Sequence, residues 1–301
     1  MIKMKQIPFK LIFGTLILAT TIVSCGSEEE KTNNTVEKEI LDENNSFNTV
    51  FDGKIFSIPS PVQTAYLIKQ LDLPFDEALL NKNSNVGKYV KEYNQALNLG
   101  IYGTDVGYAS MYEQKDITMK YLSSVEKLTS ELGLDIAFDN AFLKRFEKNN
   151  GNKDSMLVIM SDAYRKSDNF LKQSNRKSTS ALILAGGWIE SIYFATKLNA
   201  KKQNSDVEKR IGEQKQSLNS IIDILTEYND NNQNDLLIAE MKDLKVSFDK
   251  IEMNYKYSAP ETDKDKKVTT FTHSLEIILD KKILGEIESK IEAIRSNIIK
   301  G

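Results

Sequence analysis

Ala181-Leu182-Ile183-Leu184-Ala185-Gly186-Gly187-Trp188-Ile189-Glu190-Ser191-Ile192-Tyr193-Phe194-Ala195 is the stretch that decides the fold class. It is apolar on nearly all sides, as a central buried helix must be. Its glycines each cost about 1 kcal/mol in a helix interior relative to alanine. Close approach of another backbone or of a ligand is the usual reason for such a residue. A second stretch has the same character: Ala96-Leu97-Asn98-Leu99-Gly100-Ile101-Tyr102-Gly103-Thr104-Asp105-Val106-Gly107-Tyr108-Ala109. The two align at an offset of 85 residues. Ala96 meets Ala181, Leu97 meets Leu182, Leu99 meets Leu184, Gly100 meets Ala185, Asp105 meets Glu190 and Tyr108 meets Tyr193. The match suggests duplication of a three- or four-helix unit.

Outward from these two segments the chain is amphipathic. Ile117, Tyr121, Val125, Leu128 and Leu132 form one helical stripe. Val207, Ile211, Gln214, Leu218, Ile221 and Leu225 form another, and Leu237, Met241, Leu244, Phe248, Ile251 and Tyr255 a third. Leu284, Ile287, Ile291, Ile294 and Ile298 close the chain with a fourth. No proline lies between Pro74 and Pro260 to interrupt long helices. The breaks are polar: Asn149-Asn150-Gly151-Asn152, Asn229 to Asn234, and Ala259 to Lys267. Short breaks between amphipathic helices give antiparallel neighbours, so the expected fold is an all-α antiparallel helical bundle. The stripes read as core that the helices cover for one another, with coiled-coil partner surfaces as the alternative. Ser60-Pro61-Val62-Gln63 has the composition of a helix start. Phe51-Asp52-Gly53-Lys54-Ile55-Phe56 reads as a short extended turn.

Asp105 and Glu190 are the sharpest chemical feature, because an unpaired charge in such surroundings is very costly. One reading is structural. Tyr102, Tyr108 or Tyr193 donates a hydrogen bond, or one of the arginines Arg145, Arg165, Arg176, Arg210 and Arg295 pairs with an acid. The functional reading is a cleft floored by Gly103 and Gly187 and lined by Trp188, Tyr102, Tyr108 and Tyr193. Two carboxylates there would fix a polar or cationic ligand, or serve as acid and base. Asp162 has Arg165 within one turn and reads as a local pair. His273, the only histidine, reads as an exposed or capping residue near the start of the last helix.

The N-terminus carries an address. Lys3, Lys5 and Lys10 precede an apolar run from Leu11 to Val23, the length of a signal h-region and short for a bilayer span. Ile22-Val23-Ser24-Cys25 resembles a lipobox, with Ile22 where Leu is usual. The resemblance implies lipidation of Cys25 and cleavage before it. An ordinary signal with a chance cysteine and an uncleaved anchor are the alternatives. Cys25 is the only cysteine, so the fold stands without a disulfide. Ser27-Glu28-Glu29-Glu30 resembles the signal that sends some Bacteroidota-type lipoproteins to the outer cell surface. The expected organisation is a signal peptide over 1–24, lipidated Cys25 and a flexible acidic tether over 25–50, and a helical domain over 51–301. Such a tether places the domain roughly 25–30 Å from the membrane on average.

Composition sets the remaining bounds. The chain has 40 basic and 43 acidic residues, and removing the three signal lysines leaves 37 against 43. That acidic balance disfavours nucleic acid and electrostatic attraction to anionic lipid. With no histidine cluster and no second cysteine, no zinc site is expected, and no cofactor motif or nucleophile elbow occurs. Ile58-Pro59-Ser60-Pro61 together with Gly186-Gly187-Trp188-Ile189-Glu190 resembles a class of helical Bacteroidota-type lipoproteins without an assigned activity. That resemblance implies the address and the helical fold only. The expected role is a membrane-tethered binding or interaction module for an unknown ligand or protein. A hydrolase built on Asp105 and Glu190 and a structural envelope protein are the alternatives.

Overall fold

The structure is a computed structural model, and it describes residues 47–51, 54–58, 71–136, 138–263, 268–270 and 274–301. The expected signal peptide, Cys25, the helix start expected at Ser60-Pro61 and His273 lie outside the described residues. The chain is mostly helical. Two strands open it, β1 (Phe47–Phe51) and β2 (Lys54–Ile58), paired antiparallel on either side of Asp52-Gly53, a pair that favours tight hairpins. Strand β1 begins within residues 25–50, the segment expected to be tether.

Short 3₁₀ turns at Glu77–Leu79 and Asn83–Lys88 lead into the helices. These are α1 (Glu92–Met111), α2 (Lys115–Glu131), α3 (Asn140–Asn149), α4 (Lys153–Gln173), α5 (Lys177–Lys201), α6 (Ser205–Glu227), α7 (Asp235–Asp249) and α8 (Lys281–Lys300). The polar breaks read from the sequence supply caps. Asn152 accepts from the Ser155 N–H at the start of α4, and Asn204 accepts from Asp206 and Val207 at the start of α6. Asn234 donates to the carbonyls of Leu225 and Tyr228 at the end of α6. Each cap satisfies a backbone group that the helix itself leaves unpaired.

Helix α5 is the axis of the core. It touches α1, α4, α6 and α8, which is why it has no polar face. Its densest contact is with α1. A Cβ on Gly100 would lie 2.1 Å from the Ile183 carbonyl oxygen and 2.5 Å from the Gly187 nitrogen. A Cβ on Gly186 would lie 2.0 Å from the Leu97 carbonyl oxygen. These two glycines are therefore accounted for by backbone meeting backbone. Contacts advance together along both helices, from Leu97–Gly186 through Thr104–Gly187 to Tyr108–Phe194. The two central helices thus run in the same direction. Antiparallel packing, expected of sequence neighbours, does not extend to this pair.

A second departure from the sequence concerns the third stripe. Its helical spacing runs on through Ile251 and Tyr255, but α7 ends at Asp249. Residues Glu252–Lys256 form strand β3, paired antiparallel with β6 (Ser274–Ile278). Ile251 is buried while Tyr255 is more than half exposed, so the helical spacing does not continue into the core. Strands β4 (Glu261–Asp263) and β5 (Val268–Thr270) form a separate antiparallel pair. The last helix begins only at Lys281, capped by Asp280.

Candidate functional site

The parallel crossing of α1 and α5 brings Asp105 and Glu190 together in the core. Both are fully buried, and Arg295 of α8 is 6% exposed. Arg295 donates from Nε to Glu190 Oε2 at 2.5 Å and from Nη2 to Glu190 Oε1 at 2.7 Å. Its Nη2 also donates to the Leu79 carbonyl at 2.8 Å. The guanidinium carbon lies 4.1 Å from the centre of the Tyr193 ring. This is a bidentate, stacked arginine, a geometry that lysine could not reproduce. Burial works against the arginine's charge, but the attraction and hydrogen bonding of Glu190 exceed that penalty and hold its pKa above the ordinary value.

Asp105 accepts the Asn81 N–H at Oδ2, 3.2 Å away, while its Oδ1 has no conventional partner. Burial first, then repulsion by Glu190, raises the Asp105 pKa well above the ordinary carboxylate value, and Arg295 only partly opposes this. Burial and the neighbouring Glu190 thus both favour the acid form of Asp105 over its carboxylate. The bidentate Arg295–Glu190 pair and the favoured acid form of Asp105 both lower the cost of burying the cluster.

A shell of amides and tyrosines surrounds the acids. Asn81 donates to Tyr89 Oη and Asn98 Oδ1, at 3.0 and 3.2 Å. Tyr89 in turn donates to the Ile299 carbonyl, and Asn98 to the Ile298 carbonyl. These two bonds reach carbonyls in the last turn of α8, and the Ile298 carbonyl also accepts the Gly301 N–H. Tyr102 donates to the Lys82 carbonyl, and burial pushes its phenol up. The segment before α1, the two central helices and the last helix are thus joined through one polar cluster.

The residues expected to line a cleft divide into groups. Asp105, Glu190 and Tyr193 come together, around Arg295. Tyr102 lies close to Asp105, which adds to its upward shift, but its hydroxyl is committed to Lys82. Tyr108 packs among Phe75, Tyr112 and Phe194, and its hydroxyl accepts the Asp76 N–H. Trp188 points to another side of α5, where its indole N–H donates to Gln214 Oε1 at 3.1 Å and its ring meets Phe248. Gly187 packs at ordinary distance against Gly100 and Thr104, and Gly103 has open space where a Cβ would be. The hydroxyl of Tyr102, the hydroxyl of Tyr108 and the indole of Trp188 are thus committed to three different neighbours. Asp162 pairs with Arg165 at 2.5 Å and Arg145 at 3.3 Å.

Asn81, Tyr89 and Asn98 are the members of the site that the sequence does not single out, while Arg295 is one of the five arginines named as possible partners of an acid. Its signal is its place on the apolar face of the last helix, one turn beyond Ile291 and beside Ile294. Asn98 carried another, a carboxamide inside an otherwise apolar helix.

A shallow surface groove lies to one side of the cluster, lined by Glu77, Lys82, Asn83, Ser84, Lys120 and Tyr121. Tyr121 separates it from the acids, and its phenol is raised by burial and by Asp105. Among the described residues no group of His, Cys, Asp and Glu could hold a metal ion, and no helix is long and apolar enough to cross a membrane. Comparison with family models, with curated proteins and with solved structures finds no match to this chain.

Proposed function

We propose that the chain is a membrane-tethered interaction module, anchored through a lipid on Cys25 and without catalysis of its own. The observation that carries the reading is the commitment of the matched acids. Asp105 and Glu190 have no solvent access, and Glu190 is occupied by Arg295 through both oxygens. A general acid or base must reach the proton it transfers. Nothing in this geometry favours the hydrolase reading over a structural one. The helical body spends its chemistry on holding itself together, and its exposed apolar residues lie at the periphery, among them Tyr257 and Val268 on the ribbon.

The anchor follows from Ile22-Val23-Ser24-Cys25, and an acylated N-terminus with more than one chain holds a membrane stably. Metabolic labelling with an alkyne fatty acid tests it. Wild-type chain should take the label and sediment with membranes, whereas Cys25→Ser should lose both properties. A wild-type chain that takes no label and stays in the supernatant would refute the anchor. A carbohydrate- or peptide-hydrolysing activity lost specifically in Asp105→Asn, with the fold intact, would refute the absence of catalysis.

A further inference from the structure

We propose that the groove lined by Glu77, Lys82, Asn83, Ser84, Lys120 and Tyr121 binds a small hydroxylated carboxylate, and that the buried acid cluster is the mount that holds one wall of it in shape. The groove has a volume of about 620 Å³, the size of a small-molecule site. That wall comes from the polar run Asn81-Lys82-Asn83-Ser84-Asn85. Three successive residues of the run are pinned from the core, each by a different side chain. Asp105 accepts the Asn81 N–H, Tyr102 donates to the Lys82 carbonyl, and Ser124 donates to Asn83 Oδ1. The fold thus uses the backbone of the run and one amide oxygen. It leaves the other groups over: among the described residues, Lys82 Nζ, Asn83 Nδ2 and Ser84 Oγ have no hydrogen-bond or ion-pair partner. Rigid placement of polar groups that the fold itself does not use is what a binding site requires.

Tyr121 of α2 lines the same groove and is only 3% exposed, with its ring against Tyr102. Its hydroxyl has no partner among the described residues. A buried hydroxyl left unpaired is costly, and the neighbouring tyrosines avoid that cost, since Tyr89, Tyr102 and Tyr108 are each bonded. A ligand oxygen in the groove completes Tyr121. Burial, then Asp105 and Glu77, raise the pKa of this phenol, so it keeps its proton and offers it to an acceptor. The charges of the groove define that acceptor. Lys82 and Lys120 face one acid, Glu77, which lies 3.9 Å from Lys120. One positive charge is left over, in a chain whose acids outnumber its bases. A single excess charge matches a carboxylate, whereas a doubly charged phosphate beside Glu77 exceeds it. Glu77 accepts from hydroxyls, and Asn83 and Ser84 can bond a hydroxyl in either sense. The fitting ligand therefore carries one carboxylate, held by Lys82 and Tyr121, and hydroxyl groups for the rest.

This inference rests on the binding role proposed above and names its ligand class, but it does not rest on the anchor. Titration calorimetry of the full chain with gluconate and with glucuronate tests it. Binding of at least one is expected. Sorbitol, which has the hydroxyls without the carboxylate, and inorganic phosphate should each bind at least about tenfold more weakly. Lys82→Met and Tyr121→Phe should each cut the affinity by about tenfold, while Lys91→Met, outside the groove, should leave it unchanged. Because the Tyr121 hydroxyl bonds nothing in the fold, Tyr121→Phe should not lower the melting temperature; a marked fall would reveal a structural hydroxyl and overturn its place in the site. Tyr102→Phe, which unpins the Lys82 carbonyl from outside the groove, should weaken binding while unfolding stays cooperative. Failure of both carboxylates to bind overturns the proposal. So does binding of sorbitol or phosphate as tight as that of the carboxylates, or binding indifferent to Lys82→Met and Tyr121→Phe. Each of these failures leaves fatty-acid labelling of Cys25 unaffected, so the anchored module stands or falls separately.

Discussion

Arg295 of the last helix grips Glu190 of the central helix through both carboxylate oxygens, at 2.5 and 2.7 Å, although the two residues stand 105 positions apart. The pair fastens α8 to α5 in a buried region, next to Asp105, whose pKa burial and Glu190 raise. Three of the four predictions that follow concern this cluster.

Removing one partner of a buried ion pair leaves the other uncompensated, at a cost of about 3–5 kcal/mol. Arg295→Met should therefore destabilise by that order. Glu190→Leu should cost less, because Asp105 lies close enough to Arg295 to ionise in its place. The double variant should recover much of the loss. Denaturant unfolding followed by the emission of Trp188, the only tryptophan and 5% exposed, measures all three. Additive losses in the double variant would contradict the pairing.

The raised pKa of Asp105 has a definite sign for stability. The unfolded chain releases this proton near the ordinary carboxylate value of 3.8, while the folded chain keeps it to higher pH. Above about pH 4 the folded state binds the extra proton, so this group lowers stability as pH rises, by about 1.4 kcal/mol per unit until its folded pKa is passed. Asp105→Asn removes that loss. Its amide can still accept from Asn81 and can donate to Glu190. The variant should match wild type near pH 4 and exceed it increasingly toward pH 8, in urea unfolding across that range. A constant difference between the two would count against a buried proton.

Glycines of the two central helices should respond in opposite directions, according to what faces them. Gly100→Ala and Gly186→Ala drive a Cβ into backbone at about 2 Å and should be strongly destabilising, by more than the roughly 1 kcal/mol that helix propensity would return. Gly103→Ala meets nothing within 4 Å and should stabilise by about 1 kcal/mol. Thermal melts of the three variants decide this. A stabilising alanine at Gly100 would mean that α1 and α5 are not in backbone contact there.

The fold was largely legible because its main signal is local. An apolar sequence all round the helix is enough to place α5 and α1 at the centre, and polar runs such as Asn149 to Asn152 mark the caps. The cost of Gly100 and Gly186 pointed to a close approach, but spacing alone does not distinguish a ligand from the facing backbone. The acids were visible as anomalies, whereas their partner sits in a helix over a hundred residues away, and five arginines competed for the role. The ribbon was misread for a related reason. Leu244, Phe248, Ile251 and Tyr255 keep a helical spacing, and the β-branched partner that draws Glu252–Lys256 into a strand lies at Ser274–Ile278. Non-local pairing outweighs a periodicity carried by two terminal residues.

The central claim is that the matched acids form a sealed, charge-balanced core and not an open site. Infrared spectroscopy of the carboxyl carbonyl band tests it most directly. At neutral pH the account predicts one protonated carboxylic acid, absent from Asp105→Asn and slow to exchange its proton for deuterium. No such band, or a band that exchanges at once and titrates like a surface acid, would show that water reaches Asp105 and would return the cluster to the list of open sites.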